Sequence, residues 1–220
     1  MALIPYRDDN YSRTTPFVTY LLILVNAYVF VRYGFFSGEG VYAQIVNGYG
    51  YTLPGLLKQP QVIITSIFLH ANFLHLLSNM WFLHLFGDNI EDKFGRINFL
   101  WMYIMAGIIG NLAHSLFTIL MPQVPVIGAS GAVAGVMGAY VVKYPSAKIR
   151  TIFFLWIYPI FFKIAAFWFI GIWMFFEFAA AFMSPHDQIA HWAHIGGFLF
   201  GALWAKGRKG VVHKKRFLAR

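Results

Sequence analysis

The stretch Gly128-Ala129-Ser130-Gly131-Ala132-Val133-Ala134-Gly135-Val136-Met137-Gly138-Ala139-Tyr140 decides how this chain is read. It is apolar and carries no charge, yet glycine recurs along it. Pro125, Gly128 and Gly131 argue against an unbroken helix from Val124. A helix that starts near Ser130 and ends near Val142 spans roughly 20 Å at 1.5 Å per residue. That is short of a hydrocarbon core about 30 Å thick. Its N-terminus must then lie below the outer surface. Non-helical backbone at that depth is tolerated only when it is buried in protein or lines a wet cavity. The loop 123–129 is therefore expected to dip inward and deliver Ser130 to a cavity.

The composition surrounding this stretch is that of a membrane protein. Of the 220 residues, 59% are apolar and only 11% are charged, against about 45–50% and about 25% in soluble domains. The charges cluster and leave long apolar runs. Residues 1–16 carry Arg7, Asp8, Asp9 and Arg13, which does not fit a cleavable signal peptide. Cysteine is absent, which excludes disulfides and thiol chemistry.

Six spans are expected: 17–33, 62–86, 97–120, 130–142, 164–183 and 189–205. Their organisation is a 1–16 N-terminal tail, one 17–205 membrane domain and a basic 206–220 tail. The fold class is an all-α six-helix bundle with a short, partly sunken fourth helix. With six spans, 15 of the 17 lysines and arginines fall on the side of the two termini, leaving Arg32 and Lys58 opposite. The positive-inside rule then puts both termini in the cytoplasm. The same bias accounts for the net charge of +9 without any nucleic-acid partner. Residues 151–162 read as an interfacial or partly buried stretch ahead of the fifth span. Residues 34–61, rich in Gly, Tyr and Pro, are expected to lie in the outer interface. Asp88, Glu91, Asp92, Lys93 and Arg96 read as a solvated cytoplasmic turn.

Polar groups recur inside the spans. Ser130 stands at the sunken start of the fourth, and His194 lies about five residues into the sixth. His75 and Asn79, at i and i+4, share a face about 13 and 17 residues into the second. Gly131, Gly135 and Gly138 lie near one face of the fourth helix, and Ala193, Gly197 and Gly201 repeat on the sixth. Small residues at this spacing let membrane helices approach backbone to backbone. That approach would bring His194 within hydrogen-bonding reach of Ser130, as a nucleophile and its base require. Taken alone, each piece has a plain explanation: capping, packing or interhelical hydrogen bonding. Together, ionisable groups in a membrane mark function.

These residues resemble the rhomboid intramembrane serine proteases. The likeness rests on Gly128-Ala129-Ser130-Gly131, on Ala193-His194 followed by Gly197 and Gly201, and on His75-Leu-Leu-Ser-Asn79. It implies Ser130 as nucleophile and His194 as general base in a dyad without a third acid. It also implies His75, Asn79 and the Ser130 N–H as oxyanion stabilisers, with Gly128, Gly131, Gly135, Gly197 and Gly201 supporting helix packing. The substrates would be transmembrane proteins in the lipid bilayer, and no cofactor is implied. A compact core suggests a prokaryotic plasma membrane. Many members stack an aromatic on the catalytic histidine from the position held here by Ala134, so Trp192 or a nearby Phe is expected to hold His194. The Trp-Arg pair often seen in the first outer loop is missing from 34–61.

Rival readings fare worse. His70, His75, His191 and His194 lack the H-E-x-x-H zinc-protease spacing. Asp187 reads as a loop residue. Glu177, the one acid inside a span, faces a wet cavity or snorkels outward. A non-catalytic scaffold would not need to keep both Ser130 and His194. A transporter would show paired broken segments in two halves, and none is evident.

Overall fold

The computed structural model describes residues 3–119, 124–184 and 189–211. It is mostly helical. In chain order the helices are α1 (Phe17–Val29, continued as a π-helix over Phe30–Phe35), α2 (Glu39–Tyr49), α3 (Leu53–Lys58), α4 (Val62–Thr65, ending in a 3₁₀ turn), α5 (Phe73–Phe94), α6 (Arg96–Phe117) and α7 (Ser130–Lys143). After two strands come α8 (Ala166–Met183) and α9 (His191–Lys206). Strands β1 (Leu3–Asp8), β2 (Lys148–Leu155) and β3 (Tyr158–Ala165) form an antiparallel sheet in the order β1-β2-β3.

That sheet corrects the all-α expectation. Alternating packing demands replace helix periodicity here: Pro5, Asp8, Ile149 and Thr151 are buried while most of β3 is exposed. The 151–162 stretch thus becomes the distal part of a hairpin that turns at Trp156, a residue with φ of 61°. Its two arms close at the base on Asp9, which receives Arg150 at 2.5 Å and Lys163 at 2.8 Å.

The second expected span is not one helix. It breaks between α4 and α5, whose axes differ by 93°. Asn72 causes the restart: its side chain accepts the His75 N–H at 2.9 Å and caps α5. His75 and Asn79 therefore lie in the first two turns of α5 rather than deep in a long span. By length and hydropathy, Phe17–Phe35, Arg96–Phe117 and Ala166–Met183 each qualify as membrane-crossing helices, and the bent α4–α5 pair counts as a fourth. The expected count of six is not reached on that criterion, because α7 and α9 have only 14 and 16 residues. The chain is a multi-pass membrane protein on the spans that do qualify.

The expected solvated turn at residues 88–96 is also corrected. α5 runs on to Phe94, Gly95 alone separates it from α6, and Glu91 is 2% exposed. Its carboxylate accepts from the N–H groups of Val18 and Thr19, at 2.9 and 2.8 Å, and from the Thr19 hydroxyl. Pro16 offers α1 no side-chain cap, so Glu91 supplies one from another helix. Thr14 adds a hydrogen bond to Asp92 at 2.7 Å.

Residues 34–61 carry α2 and α3 and pack near the start of α7. Tyr51 is fully buried there. Its backbone pairs with Val126 in both directions, at 2.9 and 2.8 Å, and its hydroxyl meets Ser115 Oγ at 2.8 Å. The loop before α7 is thus held by Tyr51.

The N-terminal strand is locked by a buried carboxylate. Asp8 accepts from Asn89 Nδ2 at 3.0 Å and from the Tyr140 hydroxyl, with Asp88 nearby. Burial pushes the Asp8 carboxyl up from 3.8 to about 6. A carboxyl raised on folding binds a proton more tightly when folded, so stability falls as pH rises from about 4 to about 6. The melting temperature of the purified protein should drop across that interval. Asp8→Asn keeps the acceptor and removes the titration, so its curve should stay flat there and lie above the parent at pH 7. A parent curve that rises over the same interval would contradict this.

Candidate active site

α7 is the innermost helix. Every residue from Gly131 to Tyr140 is buried, against α5, α6 and α9. Glycine makes this possible. A Cβ on Gly197 would fall on the Gly131 carbonyl oxygen, and one on Gly201 would fall on that of Gly135. A Cβ on Gly138 would fall on the Phe198 carbonyl oxygen. Gly131 itself lies 3.3 Å from the Ala193 carbonyl oxygen by the same construction. The two backbones are therefore in direct contact, and no larger residue fits between them.

At the Ser130 end of this seam is a cavity of about 780 Å³, lined by Ser130, His194, His75, Asn79, Glu177 and Trp173 among others. Ser130 is the first residue of α7, with partial exposure to the cavity. The backbone before it is fixed at Gly128, whose φ is +122°. The Gly128 N–H donates to the Ser66 carbonyl at 2.9 Å. A Cβ at Gly128 would stand 2.7 Å from the His75 ring, so both the conformation and the space require glycine. Ser130 and His194 line the cavity without a direct hydrogen bond between them in this structure.

Asn79 is buried, and among the described residues its Nδ2 has no hydrogen-bond partner. An unmatched buried amide costs on the order of 1–3 kcal/mol, and this one lines the cavity. His75 is steadied by the Ala71 N–H on its Nδ1 at 3.4 Å and by the His70 ring, 5.1 Å away between centroids. A hydroxyl, an imidazole and free amide donors in one partly enclosed space are the parts of acyl-transfer chemistry.

The support of His194 differs from expectation. Trp192 stacks on Phe117 at 3.9 Å between centroids and does not hold His194. The ring facing His194 is Trp173 of α8, at 6.1 Å. Ala134 is fully buried on the cavity wall. A carboxylate stands beside the histidine: Glu177 Oε2 lies 2.6 Å from His194 Nδ1 and 2.7 Å from His191 Nδ1. Glu177 faces the cavity rather than snorkelling away. Two clues in the sequence pointed here, the solitary acid in a span and the one-turn spacing of His191 and His194, but their partnership needs the α8–α9 packing. Of the expected outer loop, 185–188 lies outside the described residues.

The same three donors, all within 4.8 Å of one another, could be considered for a metal. Ligands bonded at 2.0–2.1 Å around a tetrahedral zinc stand about 3.3 Å apart. The contacts of 2.6 and 2.7 Å are hydrogen-bond lengths and too short for that geometry.

The fold and cavity define a multi-pass membrane protein with a serine and a histidine facing one pocket. The chain belongs to the rhomboid family: residues 58–208 match the Rhomboid domain. It is 31% identical over 167 residues to "Rhomboid protein 1, mitochondrial" of Saccharomyces cerevisiae, covering 70% of this chain and 43% of that protein. It is 36% identical over 139 residues to "Putative rhomboid protease YdcA" of Bacillus subtilis, covering 61% and 67%. A match of 35% over 79 residues to "Inactive rhomboid protein 1" of Drosophila melanogaster covers 36% of this chain and 5% of that protein. The chain spans less than half of the yeast relative. With mitochondrial proteins prominent among the relatives, the expected prokaryotic plasma membrane gains no support from them.

The seam carries its own test. Gly197→Leu should lower the melting temperature by roughly 10 °C or more, since overpacking backbone on backbone cannot relax. Gly171→Leu, at a position with nothing within 4 Å, should leave it nearly unchanged. Equal tolerance of both substitutions in detergent unfolding would show that α7 and α9 do not meet there.

Proposed function

We propose that this protein is an intramembrane serine endopeptidase that cleaves transmembrane substrates, with Ser130 as nucleophile and His194 as general base. The reading is carried by the convergence of Ser130, His194, His75 and Asn79, from three sequence-distant segments, on one cavity. Membership of a family with protease-named relatives supports it. In this reading α7 and α9, too short to qualify alone, complete six spans with both termini in the cytoplasm. Substrates reach the cavity sideways between α5 and α8, where Phe82 and Phe169 now stack 6.5 Å apart. Their helix must unwind locally, because helical carbonyls are closed in i→i−4 bonds.

The chemistry follows from the atoms present. Ser130 Oγ attacks the scissile carbonyl carbon, and its proton passes to His194. The separation of the two side chains closes when substrate fills the cavity, as catalytic contacts commonly tighten on binding. The carbonyl oxygen becomes an oxyanion and takes hydrogen bonds from Asn79 Nδ2, His75 and the Ser130 N–H. The positive end of the α7 dipole stabilises the same charge. The first product amine leaves with the proton from His194, and water then releases the acyl group.

Ser130→Ala should abolish cleavage of a model transmembrane substrate and labelling by a fluorophosphonate, with folding intact. His194→Ala should do the same, and the double variant should be no worse than either single one. An unlabelled, inactive parent would instead fit a non-catalytic scaffold.

Asn79→Ala should lower turnover by about 10²–10³, the usual effect of losing one oxyanion donor. Full turnover with only a lower melting temperature would remove Asn79 from the oxyanion site.

A further inference from the structure

We propose that Glu177 is a positioning residue for His194, fixing its ring and tautomer so that Nε2 is free to take the Ser130 proton, while His191 holds the Glu177 carboxylate in place. The inference rests on the reading of Ser130 and His194 as nucleophile and base.

The geometry is specific. Trp173 and Glu177 are four residues apart on α8 and so share one face. Both are turned toward His194, the tryptophan ring against the imidazole and the carboxylate against its Nδ1. His191 precedes His194 by one turn of α9, which brings both Nδ1 atoms to the same carboxylate oxygen, at 2.7 and 2.6 Å. An ionised carboxylate only accepts hydrogen bonds, so both Nδ1 atoms carry a proton, and in the neutral His194 ring Nε2 is left unprotonated. For His194 that nitrogen is the one available to the serine.

The proton balance is complete. The Ser130 proton moves to His194 Nε2 as the Oγ–carbon bond forms. The imidazolium keeps its Nδ1 proton on Glu177, which stays ionised and offsets the new charge. Nε2 then returns the proton to the leaving amine. Ser, His and a carboxylate acting in this order recur on unrelated folds, so the arrangement is recognised by geometry. The rival reading is that Glu177 only ties α8 to α9. A brace of that kind would affect stability and substrate binding but not the tautomer of His194.

The experiment uses the full chain in detergent. Glu177→Gln should lower kcat by on the order of 10²–10⁴ with KM within about threefold, because the Gln amide can donate to Nδ1 and shift the proton to Nε2. His191→Gln, which leaves one donor on Glu177, should show a smaller loss of kcat. ¹⁵N-histidine spectra of Ser130→Ala, with the His194 signal assigned by its loss in His194→Ala, should show an unprotonated Nε2. A Glu177→Gln enzyme with kcat within threefold of the parent, or with only KM and melting temperature changed, overturns the proposal. So does an Nε2-protonated neutral His194 in Ser130→Ala, a result that needs no Glu177 variant to fold. Activity removed by a chelator and restored by zinc also overturns it, in favour of a metal on these three side chains. A parent that neither cleaves nor takes the fluorophosphonate overturns the protease reading itself. Labelling of Ser130 in a parent whose Glu177→Gln variant is fully active sinks the positioning role alone.

Discussion

Everything at the candidate site depends on the bare backbone contact between α7 and α9. Gly131, Gly135 and Gly138 on one helix and Gly197 and Gly201 on the other leave room for carbonyl oxygens where side chains would ordinarily stand. In a lipid environment, helices gain little from burying apolar surface against each other. Close van der Waals contact and hydrogen bonding must hold them instead. Once these helices touch, Ser130 and His194 have no freedom in depth, because each is fixed by its place in a rigid element. Gly110 and Gly196 extend the same principle to α6, whose backbone is also approached closely.

The opposite end of the bundle, at β1, is held by different forces. Glu91 gathers three donors at the start of α1, and Asp8 fixes β1 to α5 and α7 through Asn89 and Tyr140. Removing one partner from such a buried network leaves an uncompensated polar group, which is the costly outcome. The molecule thus combines one half where glycine sets distances with another where buried carboxylates do.

How much of this was legible in the sequence follows from what each signal encodes. The start of α7 at Ser130 could be read because Pro125 and Gly128 stop any earlier helix, and a short apolar run fixes its length. The small-residue spacing likewise announces a close helix pair. The break before α5 could not be read from hydropathy, since residues 62–86 are apolar on both sides of it. Asn72 caps the new helix locally, and one asparagine in an apolar run is a faint signal. Glu91 looked solvated because its neighbours are charged, and its real partners are backbone groups 72 and 73 residues away. Strand β1 was hidden for the same reason, since its complement lies in distant sequence. The site residues were readable as types, whereas the meeting of Glu177 with His191 and His194 arises only when α8 packs on α9.

That distant pairing of β1 has a kinetic consequence. Leu3 pairs with Phe153 and Asp8 with Ile149. A ribosome adding about 5–20 residues per second produces the complementary strand roughly 8–30 s after the first. For that interval β1 waits with its edge open, and Leu3, Ile4 and Tyr6 lack the sheet that later frames them. The chain through α7 must therefore be synthesised before β1 meets its partner strand, while α8 and α9, and with them the α7–α9 seam, are still to follow.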